Sequence, residues 1–317
     1  MRLVCADGEE QYRGLLAADQ LARLEAEGNE LVWFDGAPDT AEGWIERIGD
    51  AEGLLLLWRL SPGVIPACRA LRVLSFVGTG VETYVEMNEA RAAGVTVCNV
   101  PRYGANAIAE HALALILAVA RRAVEGDAAV RAGGWEQTSG VELRGRRLGV
   151  VGAGPVGARM IELGKALGME VVCWTHRRSP ERAQEIGAPL VELDELFASS
   201  DVVSLHLAPR SETEGIVDRR LLSLLRPRAI LVNTARGSLI DEEALADLLA
   251  HGRIHGAGLD VLGAEPPPPD HPLLASPRTV LTPHVAFNTA ESSAEMMRIS
   301  LENLLAFARG EPQNVRP

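Results

Sequence analysis

The sequence predicts an α/β protein built of two doubly wound parallel-sheet domains. Three observations carry that expectation: apolar runs of strand length alternate with helical periods along nearly the whole chain, a glycine-rich turn stands between a strand and a helix near its middle, and the last long helix follows a complete set of strands with no strand after it to pair with. At 317 residues there is chain enough for two cores, and 47% hydrophobic with 23% charged residues is ordinary for a globular protein.

Over the first ninety-odd residues, strands are expected at 2–6, 30–34, 53–58, 71–76 and 95–98, with helices at about 10–27, 40–48 and 83–93. No phosphate-type glycine turn follows Ala6, so this unit is not expected to hold a dinucleotide. A long helix over 105–122 (Ile108, Ala112, Leu115, Ile116, Val119) is apolar on more than one face and must lie in a core or a subunit interface. Residues 124–140, with Gly133, Gly134 and an exposed Trp135, read as an irregular arm suited to a partner subunit. Six further strands follow at 148–151, 170–174, 202–205, 229–232, 256–259 and 280–281, the number in a complete dinucleotide-binding sheet. The final helix, 290–307, returns to the first domain. The expected limits are 1–98 with 286–317 for one domain and 99–285 for the domain inserted in it.

The stretch LGVVGAGPVGARM places GxGxxG after a strand and at the opening of an amphipathic helix, which is the context the motif requires. Gly152 permits the turn, Gly154 leaves room for a pyrophosphate and Gly157 lets helix and strand approach, while Pro155 and Val156 begin the helix whose N-terminus faces the phosphates. Where a ribose-binding carboxylate is usual, at the end of the second strand, this chain has Thr175, His176, Arg177, Arg178 and Ser179. Two guanidiniums and two hydroxyls suit a 2′-phosphate, so NADP(H) is the expected cofactor and NAD(H) the alternative; a solvated basic loop is the plainer reading.

A formal net charge of −12 argues against a nucleic-acid surface. Cys5, Cys68, Cys98 and Cys173 form no CxxC pair and suit small buried hydrophobes in a reducing compartment; no metal site is expected. The N-terminus lacks a signal-like run, and the longest apolar run, 112–120, is far short of a membrane span, so the expectation is a cytoplasmic protein without membrane contact.

Ligands of a doubly wound sheet bind beyond the carboxyl ends of its strands. Arg236 follows the fourth strand, Asp260 and Glu265 the fifth, and His284 the sixth. Such a set suits reversible hydride transfer to a small 2-keto acid: a guanidinium clamps the carboxylate and polarises the carbonyl, an imidazole carries the proton, and a carboxylate fixes the imidazole's tautomer and favours its charged form. Each residue alone has an ordinary structural reading; their common edge is what points to chemistry.

On LRVLSFVGTG, GVTVCNVPRYGANAIAEHALALILAVARR, VVGAGPVG, NTARG, GLDVLGAEPP and TPH, the chain resembles the D-isomer-specific 2-hydroxyacid dehydrogenase family over nearly its whole length. The resemblance implies a Rossmann cofactor domain inserted into a flavodoxin-like substrate domain, a D-2-hydroxy acid product and a homodimer formed through the long helix and arm. It implies that Arg236 binds substrate, Glu265 supports the histidine and His284 is the acid/base. Gly78, Thr79 and Gly80 would meet the substrate carboxylate through backbone N–H groups, Thr234, Ala235 and Asp260 would line the nicotinamide, and His206 with Pro209 would face the adenosine. Arg59 falls in the family's substrate loop, as a second positive group or a solvated arginine. Tyr103 and Phe287 resemble residues bordering substrate in the D-lactate dehydrogenase branch, or pack in the core. Glyoxylate, hydroxypyruvate and longer 2-oxo acids are the expected substrates. Because no regulatory domain follows Pro317, the serine-sensing form of phosphoglycerate dehydrogenase is disfavoured. A phosphite dehydrogenase-like enzyme and a dinucleotide-sensing corepressor-like protein stay open as alternatives.

Overall fold

The computed structural model describes residues 1–208 and 210–317. In chain order the elements are β1 (Arg2–Gly8), α1 (Glu10–Arg13), α2 (Ala18–Ala26), β2 (Glu30–Asp35), α3 (Ala41–Ile48), β3 (Gly53–Leu56), α4 (Val64–Ala67), β4 (Val73–Phe76), α5 (Met87–Ala92) and β5 (Thr96–Cys98). Then come α6 (Ala105–Arg121), α7 (Ala123–Arg131), β6 (Arg147–Val151), α8 (Pro155–Ala166), β7 (Glu170–Trp174), α9 (Pro180–Ile186), α10 (Leu193–Ser199) and β8 (Val202–Leu205). The chain ends with α11 (Arg219–Ser223), β9 (Ile230–Asn233), α12 (Glu242–Ala250), β10 (Gly256–Leu259), β11 (Thr279–Leu281), α13 (Ala290–Ala308) and β12 (Val315–Arg316). These fall into two compact units, Met1–Gly104 with Thr289–Pro317, and Ala105–Asn288. The crossings thus lie a few residues beyond the expected 98/99 and 285/286. Asn99 and Val100 stay with the first unit because their N–H groups donate to Asn314 O (3.1 Å) and Gly78 O (2.8 Å), and Ala286 stays with the second because its N–H donates to the Asp260 carboxylate (2.8 Å).

In the first unit the sheet order is β12-β5-β4-β3-β1-β2. The five parallel strands have the flavodoxin-like order, and both faces are covered. Successive residues of one strand therefore enter different cores: Val4 and Ala6 pack with Trp44, Ile48 and Leu74, while Leu3 and Cys5 pack with Leu301, Leu304 and Leu305 of α13. That double burial makes these strands continuous apolar runs. Each fully buried leucine contributes about 1.5–3 kcal/mol.

Several elements depart from expectation. The helix expected over 10–27 divides at Gly14 into α1 and α2, which dock separately on α13, the second through Gln20 Nε2 donating to Arg298 O at 3.0 Å. The helix expected over 83–93 is a 3-10 turn at Val81–Thr83 followed by α5. A strand does follow the last helix: β12 pairs antiparallel with β5, Val315 opposite Cys98. Two residues are too few to show a pattern.

The third strand ends at Leu56, not at Trp58, because Asp7 takes over from the ladder. Its buried carboxylate accepts from the N–H groups of Leu57 (3.0 Å) and Trp58 (2.7 Å). Burial pushes the Asp7 carboxyl up from 3.8 to about 6, against the pull of those N–H groups. Between those values the folded chain holds a proton that the unfolded chain has lost, so this group's contribution to stability falls as pH rises through the window. Asp7→Asn is therefore expected to gain on the parent by up to ~3 kcal/mol between pH 4 and pH 7, one pKa unit being ~1.4 kcal/mol. Urea denaturation of both proteins at the two pH values measures it, and a constant difference would refute it.

In the second unit all strands of β11-β10-β9-β8-β6-β7 are parallel. Leu190 adds a single bridge outside β7, where Cys173 N donates to Pro189 O (2.9 Å) and Val191 N to Cys173 O (3.0 Å). With that residue counted as a vestigial strand, the order is the doubly wound Rossmann order. Helix α6 lies tight on β10: a Cβ on Gly258 would stand 2.8 Å from Leu115 Cβ. The expected irregular arm begins as helix α7, braced by Arg122–Glu125 and Asp127–Arg131 ion pairs, and is irregular only beyond it. All four cysteines are buried and free. Among the described residues no helix is long and apolar enough to cross a membrane.

Candidate active site

The glycine turn after β6 is fixed by contact. Gly152 has φ +106°, and a Cβ there would lie 2.6 Å from His206 O; one on Gly157 would lie 1.8 Å from Gly152 O. Gly154 differs: beyond its own chain neighbours, no atom comes within 4 Å of the place its Cβ would take. Open space thus stands at the residue where a dinucleotide's pyrophosphate would come closest. Gly154 cannot cap α8 with a side chain and Pro155 opens the helix, so the first-turn N–H groups, Val156 and Gly157 among them, face outward at the positive end of the helix dipole. These features fit the phosphates of a dinucleotide.

At the tip of β7, Thr175 is half-buried and the His176 ring meets Trp174 edge-on at 4.7 Å. Arg177 is exposed with no ion pair among the described residues, whereas Arg178 pairs with Glu192. Ser179 caps α9, accepting from Arg182 N at 3.1 Å. Sequence reasoning missed Arg182, whose guanidinium donates to Ala153 O in the glycine turn at 2.6 Å. Helix α9 has seven residues, none of them buried, so it shows no apolar stripe.

His206 N donates to Val151 O (2.8 Å), and its buried ring places Nε2 2.8 Å from Ser204 Oγ. Burial lowers its pKa to about 4, so the ring is neutral at neutral pH. Its Nδ1 and the Oγ1 of buried Thr234 have no partner among the described residues; His206 follows β8, against Gly152, and Thr234 follows the next strand, β9. Two buried polar atoms without partners fit a polar ligand there. The expected Pro209 lies outside the described residues.

Arg236 and its neighbours are held by Asn233, a buried residue that sequence reasoning left without a role. Its side chain accepts from Ala235 N (2.9 Å) and donates to Arg236 O (2.7 Å). The half-buried Arg236 guanidinium donates to Ala235 O at 2.7 Å and has no carboxylate partner among the described residues. The turn it stands in lies directly on the loop after β10: a Cβ on Gly237 would meet the Leu262–Gly263 backbone at 2.0–2.3 Å.

His284 Nδ1 stands 2.7 Å from Glu265 Oε2, and Glu265 Oε1 accepts from Leu262 N at 3.1 Å. With a carboxylate on Nδ1, that nitrogen carries the hydrogen and Nε2 is the unprotonated nitrogen of the neutral ring. The histidine backbone is left-handed (φ +53°), its N–H donates to Asp260 O (2.8 Å), and the Phe287 ring meets it edge-on at 6.2 Å. Asp260, expected at the nicotinamide, has its fully buried carboxylate engaged by this loop: it accepts from Thr282 Oγ1 (2.5 Å), Val285 N (3.0 Å) and Ala286 N (2.8 Å). Because the Thr282 hydroxyl donates to Asp260, its oxygen is left to accept from His111 Nε2 of α6 at 2.9 Å. His111 was hidden within an apolar helix. Among the described residues no three His, Cys, Asp or Glu side chains are grouped to hold a metal ion.

In the first unit, Gly78 does not offer its N–H, which donates to Phe76 O at 2.9 Å. The N–H groups of Thr79 and Gly80 have no acceptor among the described residues, and Thr79 Oγ1 is engaged with Val100 O (2.9 Å). Arg59 is exposed without an ion pair among the described residues, and Tyr103 packs against the core formed with α13.

A parallel sheet with this glycine turn, and an imidazole–carboxylate pair beside an arginine on its carboxyl edge, define a nicotinamide-dinucleotide-dependent oxidoreductase. Residues 113–286 match the family model for the D-isomer-specific 2-hydroxyacid dehydrogenase NAD-binding domain. The chain is 37% identical to a glyoxylate reductase of Korarchaeum cryptofilum, covering 93% of this chain and 91% of that one, and 34% identical to a hydroxypyruvate reductase of Blautia hydrogenotrophica over 92% and 93%. It is also 39% identical to a D-3-phosphoglycerate dehydrogenase of Archaeoglobus fulgidus, of which it spans only 47%. A crystal structure of a Thermus thermophilus protein superimposes with a TM-score of 0.87 at 36% identity over the whole of both chains, and an acyclic imino acid reductase in complex with NADPH and D-Arg does so with 0.86 at 29%. The chain belongs to the D-isomer-specific 2-hydroxyacid dehydrogenase family.

Proposed function

We propose that the protein reduces small 2-keto acids, glyoxylate and hydroxypyruvate foremost, to D-2-hydroxy acids with NADPH as the preferred reductant, and catalyses the reverse oxidation. The observation that carries the reading is the 2.7 Å contact of Glu265 with His284 on the same sheet edge as Arg236. A reduced nicotinamide dinucleotide, its phosphates held at Gly154 and the N-terminus of α8, would supply the hydride for the carbonyl carbon. Arg236 holds the substrate carboxylate and draws charge onto the carbonyl oxygen, and His284 delivers the proton to that oxygen from Nε2. Glu265 keeps Nδ1–H in place and balances the imidazolium. Within the first unit, the N–H groups of Thr79 and Gly80 and the exposed Arg59 guanidinium are each suited to an anionic group.

The NADPH preference is supported by the absence of a carboxylate over 175–179 and by Arg177, exposed and unpaired among the described residues. Arg178 already has Glu192, so Arg177 is the better candidate for the 2′-phosphate. A homodimer would cover Leu117, Val124, Val130 and Trp135, which are 41–82% exposed on α6, α7 and the segment beyond.

A panel of 2-keto acids run with NADPH and with NADH tests the reading. The expected result is turnover of glyoxylate or hydroxypyruvate with a lower KM for NADPH, and an Arg177→Glu variant whose KM for NADPH rises about ten- to a hundredfold, a charge-assisted bond being worth ~1.5–3 kcal/mol. Equal cofactor KM values would remove the NADPH preference. Tight dinucleotide binding with no turnover of any acid would favour a sensor instead.

A further inference from the structure

We propose that Glu242 and His271 are positioning residues that lock the loop carrying Glu265 onto the turn carrying Arg236. The inference rests on the catalytic reading above and extends it to a pair outside the reacting groups.

The loop after β10 has no ladder to hold it. Its N–H groups at Leu262 and Gly263 go to two carboxylates: Leu262 N donates to Glu265 Oε1 at 3.1 Å, and Gly263 N to Glu242 Oε1 at 2.8 Å. Glu242 opens α12, immediately after the Arg236 turn, where a helix N-terminus favours a negative charge. Its other oxygen lies 3.1 Å from His271 Nε2, and the two side chains are only 18% and 11% exposed. His271 stands at the far end of the proline run, anchored beside fully buried Leu273. Its Nδ1 accepts from Leu273 N at 3.4 Å, which leaves the hydrogen on Nε2 to donate to Glu242. One carboxylate therefore ties both ends of the segment 263–271 to the helix that follows Arg236. The backbone contact at Gly237 completes the join, since nothing larger than hydrogen fits between the two loops.

Without Glu242 the loop loses its only side-chain hydrogen bonds to α12 among the described residues, and Glu265 drifts from His284 Nδ1. Cofactor and substrate carboxylate are bound by other residues, so the loss should fall on turnover. A misplacement of about 1 Å in a supporting group costs about ten- to a hundredfold in rate.

The test is a set of variants, E242A, E242Q, H271A, E265A, E242A/E265A and H284A, assayed with glyoxylate and NADPH, with NADPH binding followed by fluorescence and amide exchange followed over 262–271. Expected are a ten- to hundredfold lower kcat for E242A with KM and NADPH affinity within about threefold of the parent, faster exchange over 262–271, and only partial recovery in E242Q, whose Oε1 can still accept from Gly263 N while its amide NH2 meets the Nε2–H of His271. E242A/E265A should be no slower than E265A, because both changes remove the same support. Should E242A not fold, H271A is read in the same way, expected slower in turnover and faster in exchange. Multiplying losses in the double variant, or parental kcat and exchange in E242A and H271A beside an inactive H284A, overturns the positioning role and leaves the catalytic reading intact. An active H284A overturns the catalytic reading itself.

Discussion

His284→Asn is expected to lower kcat by about two to four orders of magnitude, the usual worth of a positioned acid or base. Asparagine is the informative replacement because the residue sits at φ +53°, where an ordinary side chain costs ~1 kcal/mol and asparagine is tolerated. The backbone bond from residue 284 to Asp260 O is thereby kept, and the lost rate reports the imidazole alone. Affinity for the dinucleotide should hold, because the glycine turn and α8 lie on other strands of the same sheet. Steady-state kinetics beside a binding titration measure both, and turnover within tenfold of the parent would remove His284 as the proton carrier.

Arg236→Lys is expected to lower kcat/KM by about 10²–10³, with most of the loss in kcat. A lysine keeps the charge but not the planar fork that meets carboxylate and carbonyl together, and removing one donor to a developing oxyanion costs roughly that factor in rate. Stability should change little, since the only hydrogen bond of the guanidinium in the described structure is to the neighbouring carbonyl of Ala235. An unchanged melting temperature beside the kinetic loss separates substrate contact from folding. A lysine variant with parental kcat/KM would mean that residue 236 does not touch the reacting groups.

The inner strands were legible because they are covered on both faces, so burial writes itself as an apolar run; 170–174, 202–205 and 256–259 match the structure residue for residue. The glycine turn was legible because backbone crowding admits no other residue at Gly152 or Gly157. What stayed hidden depends on partners far apart in the chain. Asp7 meets Leu57 across 50 positions and Glu242 meets His271 across 29, and no local spacing encodes such a meeting. The same holds for Asp260, whose type suited a ligand-facing role and whose carboxylate proves to be the anchor of the His284 loop. Gly78 was read with its neighbours as a donor, but a tight turn back to Phe76 O uses its N–H.

The discontinuous first sheet bears on how the protein is made. Leu3, Cys5 and Leu55 share their core with Met297, Leu301, Leu304 and Leu305, so that layer cannot close until the ribosome has passed residue 305. The inserted unit, Ala105–Asn288, is contiguous and can mature while its host still shows an uncovered greasy face. During synthesis β1 and β3 are thus left with one apolar face uncovered until the inserted unit and α13 have both been made.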